Sequence, residues 1–278
     1  ITVLSFGQNE KKQKRKKLET RCLAKIKNLN QKHKKQNIML IKVCGLREAE
    51  NIKAVDNLGV DMTGFIFAPQ SKRYVEMISS CAGTMPDYSE ARLKALKNQK
   101  PTNEQEKPAD AQETHPKRVG VFVDDMPQNI ITRIYNYALD YVQLHGEESV
   151  VMIKNLKESV ADGIAPNLKI IKAISISSAA DFETCAQYEG VADMLLFDTK
   201  CDTRGGSGRQ FDWSLLDHYH GTTPFLLSGG IGPDDAEAIL QIDHPMFAGI
   251  DLNSRFETAP GVKDVEMLRG FIEKIKKC

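Results

Sequence analysis

The chain has 278 residues, 41% of them hydrophobic and 27% charged, with 38 Lys and Arg against 37 Asp and Glu. That length holds enough core for one large domain or two ordinary ones, and the hydrophobic content is too high for wholesale disorder. No apolar run approaches the ~18 residues of a helical membrane span, so no membrane association is expected.

The six cysteines (Cys22, Cys44, Cys81, Cys185, Cys201, Cys278) contain no CxxC pair and no metal-ligand spacing. A disulfide framework is therefore not expected, and a reducing cytoplasm is the expected compartment.

The near-neutral total hides an asymmetry. Residues 1–38 carry 12 Lys and Arg and 2 Asp and Glu, leaving 26 and 35 for residues 39–278. The run Lys11 to Lys17 begins a stretch without the hydrophobic centre of an export signal. Clustered lysines neutralise phosphate, so nucleic-acid binding through this tail is one reading. The plainer expectation is a disordered or helical basic extension outside the fold, or translated sequence ahead of a start at Met39, with no nucleic-acid partner.

From Leu40 onward, short aliphatic runs alternate with stretches of helical spacing. The runs lie at 40–44, 62–67, 118–123, 141–144, 168–173, 193–198, 224–228 and 246–251. Residues 47–58 and 233–241 read as helices, the second with Pro233 at its first position, and 262–276 closes the chain with apolar residues three and four apart. Eight strand–helix units over 39–278 match a (β/α)8 TIM barrel, typically ~250 residues. A doubly wound open sheet uses the same alternation. It should carry a GxGxxG turn after an early strand, and the glycine clusters here come late. Residues 97–117 hold three prolines and no Val, Ile, Leu or aromatic residue. They read as a flexible insertion between a helix and strand three, on the face opposite the active one.

The active face of a barrel lies at the carboxyl ends of its strands. That rule selects Cys44, Arg73, Gln143, His145, Asp198, the 205–208 glycines, Ser228 to Gly230, and Asp251 to Arg255. In Ser228 to Gly232 the glycines let backbone N–H groups approach an anion, and a following helix start adds a favourable dipole. One strand later, Asn253 and Ser254 can donate to the same phosphate. Gly229, Gly230, Asn253 and Ser254 are thus the candidate phosphate ligands. Gly205, Gly206 and Gly208 suit a mobile lid, although a plain surface loop has the same composition.

Cys44 at a strand end is core filler in most proteins, but here its thiolate can serve as base or nucleophile. Asp198 follows the apolar run MLLF, surroundings that favour the protonated acid and a proton-donor role; capping the next loop is the alternative. Arg73 can hold a carboxylate bidentately or can be a solvated loop residue. His145 suits acid–base work, and without a second ligand at the right spacing no metal is expected. His218 and His220 receive no role.

The ordered motifs KVCGLR (42–47), GFIF with SKRYV (64–67, 71–75), VGVFVDD (119–125) and VQLHGEE (142–148) open a longer series. LLFDTK (195–200), GGSGRQFDW (205–213), LLSGGIGPDDA (226–236), GIDLNS (249–254) and PGVKD (260–264) complete it. Together they resemble phosphoribosylanthranilate isomerase over residues 40–276 apart from the insertion. The resemblance implies a cofactor-free Amadori rearrangement in tryptophan biosynthesis, acting on a small phosphorylated substrate as a monomer or homodimer. It implies Asp198 as general acid, Cys44 as general base and Arg73 on the substrate carboxylate. Gln143, His145 and Asp251 join the substrate site, and the phosphate falls on the late loops. Asn253-Ser254-Arg255 stands where the family has a Ser-Ser-Gly type run, and Lys72 where proline is common. Indole-glycerol-phosphate synthase and ribulose-phosphate epimerase share the late glycines. Lys42 and Lys172 leave the synthase open on residue type.

Overall fold

The computed structural model describes residues 39–78, 115–199 and 212–277. The basic extension (1–38), the insertion up to residue 114 and the glycines at 205, 206 and 208 lie outside the described residues. Eight parallel strands form a closed ring in chain order. They are β1 (Leu40–Cys44), β2 (Met62–Ile66), β3 (Lys117–Phe122), β4 (Tyr141–Leu144), β5 (Lys169–Ile176), β6 (Met194–Thr199), β7 (Phe225–Leu227) and β8 (Phe247–Leu252). Closure comes from β1 against β8, with Leu40 opposite Gly249 and Lys42 opposite Asp251. Lys117, expected at the end of the insertion, is the first residue of β3.

Alternation of side chains across each strand sorts two cores. Met62, Val119, Tyr141, Ile171, Met194 and Leu226 belong to one buried cluster inside the ring, with Leu40 packed against it. The intervening residues Ile41, Val43, Phe197 and Phe225 are fully buried on the outer side. There Phe197, Phe225, Phe182 and Tyr219 pack in edge-to-face and tilted pairs at centroid separations of 4.6 to 6.0 Å.

The described α-helices are α1 (Ala49–Asp56), α2 (Pro127–Tyr137), α3 (Val150–Ala161), α4 (Ala236–Leu240) and α5 (Val265–Lys276). Local chemistry fixes their starts. Pro127 opens α2, the Ser149 hydroxyl accepts from Met152 N at 3.2 Å for α3, and the Asp264 carboxylate accepts from Met267 N at 3.0 Å for α5. Helix α5 buries Leu268, Phe271, Ile272 and Ile275, the three-and-four spacing expected of it.

Two elements differ from expectation. Pro233 lies in a turn, and α4 starts only at Ala236, behind Asp235. Beyond β8, a short hairpin, β9 (Glu257–Ala259) with β10 (Val262–Lys263), precedes α5.

Candidate active site

Cys44 is the last residue of β1, Gln143 the third of four in β4, and Asp198 the fifth of six in β6. Each stands two or four residues beyond an inward-facing core residue (Leu40, Tyr141, Met194), so all three share the barrel's interior face at its carboxyl end. β1 and β6 lie three positions apart around the ring, through β8 and β7.

The Cys44 side chain fits there because its partner across the β1–β2 register is Gly64. A Cβ on that glycine would stand 2.7 Å from the Cys44 sulfur. Below the thiol, Lys42 is wholly buried and its ammonium lies 2.8 Å from Asp251 Oδ1. The other Asp251 oxygen accepts from Ser228 Oγ at 3.2 Å. Asp251, expected to touch substrate, is thus 6% exposed and engaged by two neighbours beneath the site. Burial works against the Lys42 charge, yet the Asp251 carboxylate and Cys44 outweigh it and hold the ammonium above its ordinary value. Burial pushes the Cys44 thiol up, opposed by Lys42 and Lys263.

Gln143 and His145, two residues apart, make one unit. The Gln143 side-chain amide lies 2.9 Å from His145 Nδ1, and His145 Nε2 lies 3.3 Å from Asp198 Oδ2. The apolar run before Asp198 suggested a sequestered carboxyl; instead its side chain is 27% exposed and faces this imidazole. The reason is position. Phe197 points outward into the aromatic core while Asp198 points into the open mouth. Gln143 Oε1 is buried with no hydrogen-bond partner among the described residues, an acceptor suited to a substrate hydroxyl.

At the loop after β7, Gly229 and Gly230 take left-handed backbone conformations, φ 85° and 73°. Gly232 N donates to Asp235 Oδ2 at 2.6 Å. With α4 starting at Ala236 and only five residues long, its dipole adds little at this loop, contrary to the reading from Pro233. Arg255 folds back over the loop, its Nε donating to Gly230 O at 3.3 Å.

Arg73, expected to be open to a substrate carboxylate, already meets one. Its Nε lies 2.8 and 3.0 Å from the two oxygens of Glu257 and its Nη2 2.7 Å from Oε2. Lys263 Nζ donates to Glu257 Oε1 at 2.7 Å and to Asn253 Oδ1 at 2.8 Å. Glu257 and Lys263 escaped the sequence reading because they lie past the last barrel strand, where the strand-end rule stops. A Glu and a Lys flanking Pro260-Gly261 would have marked a hairpin carrying both charges to one place. Lys172 belongs elsewhere. It donates to Gly146 O at 2.7 Å and pairs with Glu148 at 3.3 Å. Among the described residues no group of three His, Cys, Asp or Glu could hold a metal ion.

A closed barrel with an ionisable pair on its carboxyl rim and a glycine loop after β7 has the architecture of a (β/α)8 enzyme. A family model described as N-(5'-phosphoribosyl)anthranilate isomerase matches residues 88–274. The isomerase of that name from Parabacteroides distasonis is 44% identical over 237 residues, covering 85% of this chain and 93% of the relative. The crystal structure of the Thermotoga maritima phosphoribosyl anthranilate isomerase, 29% identical, superposes with a TM-score of 0.63 over 87% of this chain and all of that one. A further isomerase structure, 27% identical with a TM-score of 0.60 over 87% of this chain and all of that one, is a complex with reduced 1-(o-carboxyphenylamino)-1-deoxyribulose 5-phosphate. The chain belongs to the phosphoribosylanthranilate isomerase family.

Proposed function

We propose that the chain carries out its family's reaction, converting N-(5-phosphoribosyl)anthranilate to 1-(o-carboxyphenylamino)-1-deoxyribulose 5-phosphate, with Asp198 as acid and Cys44 as base. Asp198 gives a proton to the ribose ring oxygen. The ring C–O bond breaks, and the lone pair of the anthranilate nitrogen forms the C=N bond of a Schiff base. The Cys44 thiolate then takes the C2′ proton. The electron pair left behind forms C1′=C2′ while the C=N bond returns to an amine. C1′ then takes up a proton on that double bond's electron pair as the C2′ hydroxyl gives up its proton, and the O–H pair becomes the C2′=O of the ketone. His145, fixed by Gln143, keeps the Asp198 carboxyl oriented toward the mouth. The Lys42 ammonium, two residues before Cys44 on the same face, favours the thiolate against burial. Gly229, Gly230, Asn253 and Ser254 take the phosphate, joined by the Arg255 guanidinium lying across the loop.

The observation that carries this reading is the common inward face of Cys44 and Asp198 on one rim, across the barrel mouth from each other. The test is loss of phosphoribosylanthranilate fluorescence on adding purified protein. Cys44→Ala and Asp198→Asn should each lower kcat by roughly 10²–10⁴-fold with the fold retained. Near-normal turnover in either folded variant rejects the role of that residue. The proposed compartment is the cytoplasm, which suits the free thiols Cys44 and Cys185. No described helix is long and apolar enough to cross a membrane.

A further inference from the structure

The hairpin after β8 carries a buried ion cluster that barrel closure does not require. The side chains of Arg73, Glu257 and Lys263 are 12%, 5% and 0% exposed. Around Lys263 the three donors of one ammonium find three acceptors: Glu257 Oε1 at 2.7 Å, Asn253 Oδ1 at 2.8 Å and Asn253 O at 3.3 Å. Gly261 N adds a further bond to the cluster, reaching Glu257 Oε1 at 3.1 Å. The Asn51 side chain on α1 pairs with both backbone groups of Lys263, at 2.8 and 2.9 Å, and pins the hairpin to the barrel wall. Burial works against the Glu257 charge, but Arg73 and Lys263 hold its carboxyl below the ordinary value. Desolvating three charges adds little net stability compared with apolar packing of the same volume, so stability alone does not account for the cluster.

Geometry and charge supply an account. A guanidinium has two bidentate edges. Glu257 occupies the Nε–Nη2 edge of Arg73, which leaves the Nη1–Nη2 edge and fixes its direction. An Arg–Glu pair alone is neutral and would attract an anion weakly; with a protonated Lys263 on the same carboxylate, held there by Glu257 against the burial that lowers the Lys263 pKa, the trio has a net charge of +1. We propose that Glu257 and Lys263 are positioning residues that orient Arg73 and keep its subsite cationic for the aromatic carboxylate of the substrate. This rests on the proposed reaction and on Arg73 holding the anthranilate carboxylate, the role that the family resemblance gives it.

The test is steady-state kinetics of Glu257→Gln, Lys263→Met, Lys263→Arg, Arg73→Ala and the Arg73→Ala/Glu257→Gln double variant. Anthranilate and inorganic phosphate serve as competitive inhibitors, and thermal melts establish folding. Glu257→Gln and Lys263→Met should raise KM about tenfold while kcat changes less than about threefold, the signature of lost binding shared by ground and transition states. Anthranilate inhibition should weaken in step and phosphate inhibition should hold. Lys263→Arg should recover most of the loss, and Glu257→Gln should add little once Arg73 is gone. If Glu257→Gln does not fold, Glu257→Asp, which keeps the charge and shortens the reach, must show the same KM rise. An unchanged KM in Glu257→Gln and Lys263→Met, or phosphate inhibition lost along with anthranilate inhibition, overturns the proposal. Should Arg73→Ala itself leave KM and anthranilate inhibition untouched, the anchor reading fails and takes this one with it. A rise in Arg73→Ala alone rejects only the positioning roles.

Discussion

A single missing methyl group at position 64 gives the Cys44 sulfur its place. A Cβ there would lie 3.1 Å from the Cys44 Cα as well as 2.7 Å from the sulfur, so rotating the thiol away relieves only part of the conflict. Backbone would have to move at the β1–β2 pairing. Gly64→Ala should therefore lower kcat about tenfold or more by displacing the base, at a stability cost of about 1–3 kcal/mol typical of overpacking. Kinetics and urea melts check it; wild-type kcat would mean that the sulfur's position is not critical. At this scale the sequence showed which residues reach the rim, since strand ends and inward alternation are both legible in the pattern. It did not show which of them touch. Gln143 and His145 appeared as separate substrate residues, yet two positions apart on a strand is one face, and that spacing could have joined them. The ion partners of Asp251 and Arg73 were hidden for the opposite reason: Lys42 and Glu257 come from 209 and 184 positions away. No local pattern encodes such a distance.

The elements were more legible than their edges. All eight strands announce themselves as apolar runs because both faces of a parallel barrel strand are buried. The β9–β10 hairpin did not, being short and polar. Helix α1 illustrates what its own pattern leaves out. It ends on Asp56, a carboxylate at the negative end of the helix dipole. Asp56 Oδ1 is buried without a hydrogen-bond partner among the described residues. Burial raises its pKa to about 6, against the opposing influence of Arg118 and His115. The unfolded value is ~3.9. An acid that holds its proton more tightly when folded loses stability as pH rises between those two values, and the penalty is complete above the higher one. Asp56→Asn should then stabilise the protein at pH 7.5 by on the order of 1 kcal/mol, after allowance for solvent screening. At pH 4 the gain should have largely vanished. Urea midpoints at the two pH values decide it, and a destabilised variant at pH 7.5 would mean that the carboxylate serves Arg118 or His115 more than burial harms it.

Across the whole barrel the two rims divide the work. At the amino rim an aspartate stands one residue before each of β2, β4 and β6, and each accepts an N–H from the strand preceding it in the ring. Asp61 takes Ile41 N at 2.8 Å, Asp140 takes Arg118 N at 2.9 Å, and Asp193 takes Ile170 N at 2.8 Å. At β8 the pattern stops, and the backbone carbonyl of Met246 accepts from Phe225 N at 2.9 Å instead. These carboxylates satisfy backbone donors where the ladder begins, a stability role. Asp140 also pairs with Lys117 at 2.8 Å, the residue where the chain re-enters the barrel as β3. The chain between β2 and β3 therefore returns on the rim opposite Cys44 and Asp198. Replacing residues 97–114 by a short Gly-Ser linker should leave kcat/KM within about twofold, since no proposed catalytic or binding residue lies in that stretch and loop length alone changes closure entropy slowly. Thermal melting should shift by no more than a few degrees while Lys117 and Asp140 are retained. A tenfold fall in kcat/KM from a folded deletion variant would show that this stretch reaches the active rim after all.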